Sequence, residues 1–461
     1  MPTTKIVIVG AGSRSFGHAM INDVLLSNAL CENDVELALF DIDPKALAAA
    51  RDLAGRNIAR LKRAEQVKIA TFADLHEALP GADFVISLVE RDRYLYWSQD
   101  YHIPRKYGFN QVYGENGGPG GAFHGLRNIP LVVEIAQAME QLCPDATLLN
   151  LSNPESRIID AVSALTKVRA YGFCHGVSMG EDQVADLLDR DRDGIEFVVG
   201  GINHYGWFLK ITDKRTGQDL YPALRAADRR IAPAYEWRRI GLSRVLFRRI
   251  GLWPTPGTDH CGEYLGWAHE FVDNSLEYIY DPESEPQKTV DEAPEFIYLG
   301  FRSTAGADPT ARKYVDGDDR ERIAPPEPPE DDAPLRPSGE YLTPLMEAVV
   351  CDRPVRLESL IVANEGYIPN LPDGQSVEVP AVVNGAGAFP EAVGFLPEFV
   401  AATCRLQMSI QKLLMEAYVE KSRPKLIQAI LLEPTVNSYK SAIAMVNEFL
   451  ERQKDALPEF R

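Results

Sequence analysis

Apolar and polar positions alternate in a regular way along the first third of the chain. Short runs rich in β-branched residues recur at 5–9, Val35–Phe40, Val67–Phe72, 83–89 and 147–151. Each is short and mostly apolar, the pattern of a parallel strand buried on both faces. Longer stretches with helical spacing separate them, among them Pro44–Leu61 and 129–142. Strand alternating with helix predicts an α/β fold, a Rossmann-like doubly wound parallel sheet, over about the first 170 residues.

The pattern changes near Gly200. Strands lengthen, aromatic residues become frequent, and a second α+β lobe is expected, giving domains at 1–199 and 200–461. From Pro397 onward the chain reads as helices, with Phe399, Ala402, Leu406, Ile410, Leu413 and Leu414 spaced as a core-facing stripe. A strand is expected to end at Val377-Glu378-Val379-Pro380. Residues 305–340 break the pattern, because proline and like charge dominate in Asp316-Gly317-Asp318-Asp319 and in Pro325-Pro326-Glu327-Pro328-Pro329-Glu330-Asp331-Asp332. That composition predicts an exposed excursion with no chemistry of its own.

Composition narrows the function classes. The 461 residues are 45% hydrophobic and 25% charged, ordinary for a globular protein with a large core. A formal net charge of -19 argues against nucleic acid or an anionic membrane as partner. No apolar run approaches the ~20 residues needed to span a bilayer, and the first strand begins too early for a leader peptide. Six cysteines (31, 143, 174, 261, 351 and 404) lie scattered without close spacing, as in a cytoplasmic protein with reduced thiols.

Candidate chemistry clusters at the strand ends. The first strand runs into Gly10-Ala11-Gly12-Ser13-Arg14-Ser15-Phe16. Such a turn lets the backbone approach a pyrophosphate at a helix N-terminus, although Ser15 replaces the usual third glycine. Asp41 ends the second strand, where an acid can bind a ribose 2′-hydroxyl and favour NAD over NADP. The interval exceeds the usual ~20 residues. Together Gly10, Gly12, Ser13, Phe16 and Asp41 form the candidate dinucleotide site; an ordinary βαβ unit with Asp41 as a helix cap is the other reading. Loops 90–93 and 152–155 leave the same edge. The stretch Tyr113-Gly114-Glu115-Asn116-Gly117-Gly118-Pro119-Gly120-Gly121 predicts a loop, flexible or closely approached by a ligand, because five glycines in nine residues disfavour regular structure.

Cys174 and His204 can share a divalent metal through a thiolate and an imidazole, with positions left open for a substrate. An inert buried cysteine is the alternative. The stretch Gly257-Thr258-Asp259-His260-Cys261-Gly262-Glu263-Tyr264 is dense in titratable groups and reads either as acid–base chemistry or as a turn with a helix cap.

In order and spacing these motifs resemble glycoside hydrolase family 4, the NAD- and divalent-metal-dependent glycosidases. The resemblance is carried by Gly10-Ala11-Gly12-Ser13, the 114–130 segment, Ser152-Asn153-Pro154, Cys174-His175, Gly201-Ile202-Asn203-His204, Glu263-Tyr264 and Asn370-Leu371-Pro372. Asn116 stands where the family usually has threonine. The resemblance implies that NAD⁺ takes hydride from C3 of the sugar and that Mn²⁺ polarises the resulting ketone. A base then removes the C2 proton, the leaving group departs from C1, water adds and hydride returns. Such enzymes stand apart from hydrolases that work with two carboxylates. It further implies that Cys174 and His204 hold the metal and that Asn153 contacts both sugar and cofactor. The phosphosugar members of the family use a tyrosine as base; the comparable stretch here offers Asp259 and His260 as catalytic groups, with Tyr264 nearby, and Asp259 is the expected base, while His175 protonates or binds the leaving oxygen.

The Cys174-His175-Gly176 sequence looks like the α-galacturonidase and α-glucuronidase members; the other reading of Gly176 is relief of backbone strain. A neutral α-galactosidase or α-glucosidase is the runner-up. Arg91, Arg93 and Arg302 are the candidates for a uronate carboxylate. An NAD-dependent 2-hydroxyacid dehydrogenase and a silent NAD-binding regulator are the competing classes. The resemblance also implies a homodimer or homotetramer acting on a small sugar substrate.

Overall fold

The computed structural model describes residues 3–13, 16–233, 235–272, 277–278, 280–284 and 335–461. Ser15, Arg302 and residues 305–334 of the proline-rich segment lie outside the described residues.

Six parallel strands form the first half of the sheet: β1 (Thr4–Val9), β2 (Val35–Phe40), β3 (Val67–Phe72), β4 (Phe84–Ser87), β5 (Thr147–Asn150) and β6 (Arg169–Gly172). Their spatial order is β3-β2-β1-β4-β5-β6, the doubly wound order. The apolar runs follow from burial on both faces. Ile6 and Ile8 of β1 enter one core cluster, and Val7 and Val9 enter another on the opposite face. Because these strands are parallel, the loops after β1, β2, β4, β5 and β6 all leave one edge. Chain order reverses between β1 and β4, and that switch point opens a crevice. The long interval before Asp41 contains an extra helix, Asn28–Cys31, whose first turn is capped by Ser27.

The sheet does not stop at β6. It continues antiparallel through β9 (Val355–Ala363), β10 (Ser376–Asn384), β7 (Ile195–Ile202) and β8 (Tyr205–Asp213), with β11 (Gly387–Pro390) on β10. Position 199/200 therefore falls inside β7, within one continuous sheet. Strand β10 runs past Pro380, and the pairing register with β9 shifts between Val379 and Ala381. A bulge is one of the few places where a strand interior tolerates proline.

Two sequence expectations are corrected. Gly118, Gly120 and Gly121 are not loop; they open a 25-residue helix, Gly118–Leu142. The glycines answer to close packing. A Cβ at Gly120 would lie 2.3 Å from the Asp100 carbonyl oxygen, and one at Gly117 2.6 Å from that of Glu263. The stripe on helix Glu398–Glu420 is also rotated from the expected one. Ile410 and Leu414 are buried, but Phe399 is 48% exposed and Ala402 faces out. Val400, Ala401, Cys404, Gln407, Met408 and Gln411 complete the buried face, with two glutamines at positions a hydrophobic count passes over.

Several acids are enclosed by the core. Burial raises Asp160 to about 6 and Glu433 to about 7, and raises Glu181 to about 8 despite Arg192 beside it. A carboxyl whose folded value is raised adds stability below its unfolded value of roughly 4. That stability is lost as pH climbs through the folded value. The cofactor-free protein should therefore melt at a higher temperature at pH 5.5 than at pH 8.5 in calorimetry. A flat or rising melting temperature across that window would contradict this assignment.

Candidate active site

The loops from the parallel strands converge on a cavity of about 910 Å³. One end is lined by Gly10, Gly12, Ser13, Phe16, Asp41 and Ile42, and the other by Asn153, Cys174, His175, His204, His260 and Glu340. At the first end Gly10 has φ +84°, a left-handed conformation suited to glycine, and a Cβ there would meet the Leu88 carbonyl oxygen at 2.9 Å. Asp41 accepts the Gly12 N–H at 2.9 Å, which ties the second strand's end to the turn. Its other oxygen accepts the Asp43 N–H.

At the second end, Cys174 follows β6 and precedes helix Gly176–Leu188. Its Sγ lies 3.4 Å from His204 Nε2. His204 occupies the two-residue turn between β7 and β8 with φ +63°. A left-handed histidine at a turn that glycine or asparagine would take more easily carries a conformational cost, a feature that clusters at functional sites. Burial pushes the Cys174 thiol well up, and the Glu378 and Glu340 carboxylates add to the shift. A cation would offset that negative setting, since a coordinated thiol loses its proton. Burial lowers His204, reinforced by the neighbouring charge of His260. The two rings stack with centroids 4.1 Å apart. Burial opposes a charge on His260 too, but Asp259, Glu263 and Glu115 outweigh it and raise His260 to about 9. The surrounding carboxylates thus favour the charged form of His260 in the cavity wall.

His175 caps helix Gly176–Leu188 and turns its Nδ1 to Glu340 Oε1 at 3.2 Å. That leaves Nε2 as the end available to a ligand. Asn153 lines the cavity, and its carbonyl accepts the Asn128 amide at 2.8 Å. Asp259 stands apart from these residues. It is exposed, is absent from the cavity lining, and accepts the N–H of His260 at 3.0 Å. Its charge nonetheless acts on His260 and on Tyr113, both of which line the cavity. Tyr264 is buried outside the lining, with its hydroxyl donating to the Asn203 carbonyl at 3.2 Å.

Three groups at the site, Tyr113, Glu115 and Glu340, were not assigned from sequence. Tyr113 lines the cavity, and burial lifts its hydroxyl well above the usual range. Arg93 is held by Glu90 and Glu115, at 2.7 Å and 2.6 Å, and lies over the Trp97 ring. Burial favours a neutral Glu115, yet Arg93 and the nearby histidines hold it down to about 2. Glu340 is the third: at the end of the 305–340 segment expected to be exposed, it is buried in the cavity wall. Ser338 donates to Asp23 through both backbone and hydroxyl, and this anchors the segment that brings Glu340 into the cavity wall.

Two family models match this chain. One, Family 4 glycosyl hydrolase, covers residues 5–190; the other, Family 4 glycosyl hydrolase C-terminal domain, covers 199–436. An alpha-galactosidase of Bacillus subtilis is 30% identical over 462 residues, spanning 99% of this chain and 100% of that protein. An alpha-glucosidase of Erwinia rhapontici is 29% identical over 488 residues, spanning 98% of each. An alpha-galacturonidase of Thermoanaerobacter italicus is 25% identical over 473 residues, spanning 98% of this chain and 97% of that one. The crystal structure of a 6-phospho-alpha-glucosidase from gut microorganisms, in complex with NAD and Mn²⁺, matches with a TM-score of 0.75. It covers 100% of both chains at 23% identity, a likeness of fold.

Proposed function

The chain belongs to the family 4 glycosyl hydrolases and is a glycosidase; from that premise we propose that it cleaves α-linked uronides with the help of NAD and a divalent metal, Mn²⁺ foremost. The observation that carries this reading is one cavity holding both the Gly10–Gly12 turn and the Cys174–His204 pair. The residues suit both groups. A sulfur and a nitrogen 3.4 Å apart can bind one ion at roughly 2.0–2.3 Å each. Buried acids around them favour a cation. A Cβ at Gly10 or Gly12 would meet the protein's own atoms at 2.9 Å and 2.4 Å, so both glycines are required and leave bare backbone on the cavity wall where a pyrophosphate can approach. When bound, NAD would supply the redox step at the sugar and the cation a Lewis acid for the neighbouring oxygens.

The chain's own residues then move protons and hold the sugar. His175 Nε2 faces the leaving oxygen, with Nδ1 fixed by Glu340. Asp259, next in sequence to the cavity-lining His260, is the proposed base for the C2 proton, while the charged His260 holds the surrounding oxygens. Asn153, on the cavity lining, is the residue proposed to contact both sugar and cofactor.

For the substrate, Gly176 and Arg91 support a uronide. Gly176 is not in a left-handed conformation, and a Cβ there would meet only ordinary contacts at 3.5 Å, to Cys174 Sγ and Pro256. Backbone strain therefore does not explain this glycine; it leaves room beside Cys174. Arg93 is committed to Glu90 and Glu115. Among the described residues Arg91 is the exposed guanidinium on the cavity lining. Its fork suits a carboxylate. Arg91→Ala should lower kcat/KM for uronides roughly ten- to hundred-fold, the loss of a charge-assisted bond worth about 1.5–3 kcal/mol. Neutral glycosides should be spared.

A panel of p-nitrophenyl α-glycosides, with and without NAD⁺ and Mn²⁺, tests the whole reading. Faster hydrolysis of the galactoside or glucoside than of both uronides would replace it with the second reading. That reading, a neutral α-galactosidase or α-glucosidase, is supported by relatives at 30% and 29% identity over nearly the full length. Self-association into a dimer or tetramer is supported by exposed Phe389, Phe395 and Phe399. Six free cysteines suit the reducing cytoplasm. Among the described residues no helix is long and apolar enough to cross a membrane.

A further inference from the structure

Glu263 is buried between the glycine-rich segment and the two stacked histidines. Its Oε2 accepts three backbone N–H groups, from Glu115 at 2.8 Å, Asn116 at 2.6 Å and Gly117 at 2.9 Å. Its Oε1 lies 3.8 Å from His204 Nδ1 and 3.8 Å from His260 Nδ1. These three atoms are buried, and none has a hydrogen-bond partner. They point at one another across a space with nothing else to satisfy them.

We propose that Glu263 is a positioning residue for the metal site: it sets the tautomer of His204, with the proton on Nδ1 and the lone pair on Nε2. The argument is geometric. His204 Nε2 is the atom facing Cys174 Sγ. For that nitrogen to offer a lone pair to a metal, the ring proton must sit on Nδ1. Glu263 Oε1 is the acceptor that Nδ1 faces, and Oε1 cannot turn away. The three N–H groups on Oε2 lock the carboxylate's orientation. Carboxylates that accept from the second nitrogen of a ligating imidazole fix both ring orientation and basicity. The proposal rests on the reading that Cys174 and His204 bind a divalent ion.

The isosteric Glu263→Gln variant is diagnostic because the three N–H groups dictate its orientation. The amide oxygen must take the place of Oε2, so the amide NH₂ is turned to the histidines. A donor there can pair with His204 Nδ1 only when that nitrogen is unprotonated. The ring proton then moves to Nε2, the end the metal needs. The glycine-rich segment keeps its acceptor while the tautomer is reversed.

The test is titration of the full-length, metal-stripped protein with Mn²⁺, followed by electron paramagnetic resonance of the free ion. Wild type should bind one ion per subunit. Glu263→Gln should bind it about 10- to 100-fold more weakly, with melting temperature and NAD binding close to wild type. Unchanged Mn²⁺ affinity in that variant overturns the proposal. So does binding of two ions per subunit with only one lost in the variant, since Glu263 and His260 would then be ligands themselves. If Cys174→Ser binds Mn²⁺ as wild type does, the metal assignment fails instead, and the two failures are told apart. Should Glu263→Gln not fold, nitrogen NMR of ¹⁵N-histidine-labelled wild type reads the tautomer directly. A His204 proton on Nδ1 supports the role, and one on Nε2 overturns it.

Discussion

Replacing Cys174 by serine, or His204 by alanine, should lower kcat/KM by about 10³-fold or more at moderate Mn²⁺. The Lewis-acid contribution of a bound cation runs to several kcal/mol, and each ~1.4 kcal/mol is a factor of ten in rate. Neither change should unfold the protein. Cys174 lies on a loop between β6 and the helix it precedes, outside the core clusters. Its sulfur accepts the weak Gly176 N–H contact at 3.3 Å, faces His204 and has the Asn203 side chain beside it. His204→Ala leaves a non-glycine residue in the same left-handed turn between β7 and β8, so the backbone there has the same requirement as in wild type. Kinetics paired with melting curves decide the matter. Near-wild-type turnover in either variant would remove these residues from the metal site, and inactivity from a collapsed fold would show as a lost cooperative transition.

The second large effect concerns the base. Asp259→Asn should slow turnover roughly 10²- to 10⁴-fold, the span of general-base catalysis. The geometry narrows the alternatives. His260 is held protonated at neutral pH by the surrounding carboxylates and so is a poor proton acceptor. Tyr264 donates to a backbone carbonyl and lies outside the cavity. Tyr113 remains, lining the cavity with its hydroxyl held well above its usual range. Full activity in Asp259→Asn combined with a deep loss in Tyr113→Phe would transfer the role to that tyrosine.

The parallel half of the fold was legible in the sequence because burial on both faces leaves uninterrupted apolar runs. Ile6 to Val9 of β1 alternate between two core clusters, so none of these four has a reason to be polar. The Gly10 turn, Asp41, Cys174 and His204 were legible because each belongs to a short local motif at a strand end. What escaped detection depends on distant contacts. Glu340 reads as the tail of a charged, proline-rich segment, and only its approach to His175 gives it a place in the cavity. The glycines at 118–121 suggest a loop until the Asp100 carbonyl is seen where a Cβ would have to go. The stripe on helix Glu398–Glu420 misleads because Gln407 and Gln411 are buried and Phe399 is not. Asp259 is the converse case: motif order singles it out, and its exposed position makes the proton-transfer test necessary.

The central claim is cleavage by deprotonation and elimination rather than by direct displacement at C1. The most direct measurement is NMR or mass analysis of the sugar released in D₂O by the NAD- and Mn²⁺-loaded enzyme. Removal of the C2 proton by a base open to solvent puts deuterium at C2 of the product. Product carrying protium at C2 after complete turnover would contradict it.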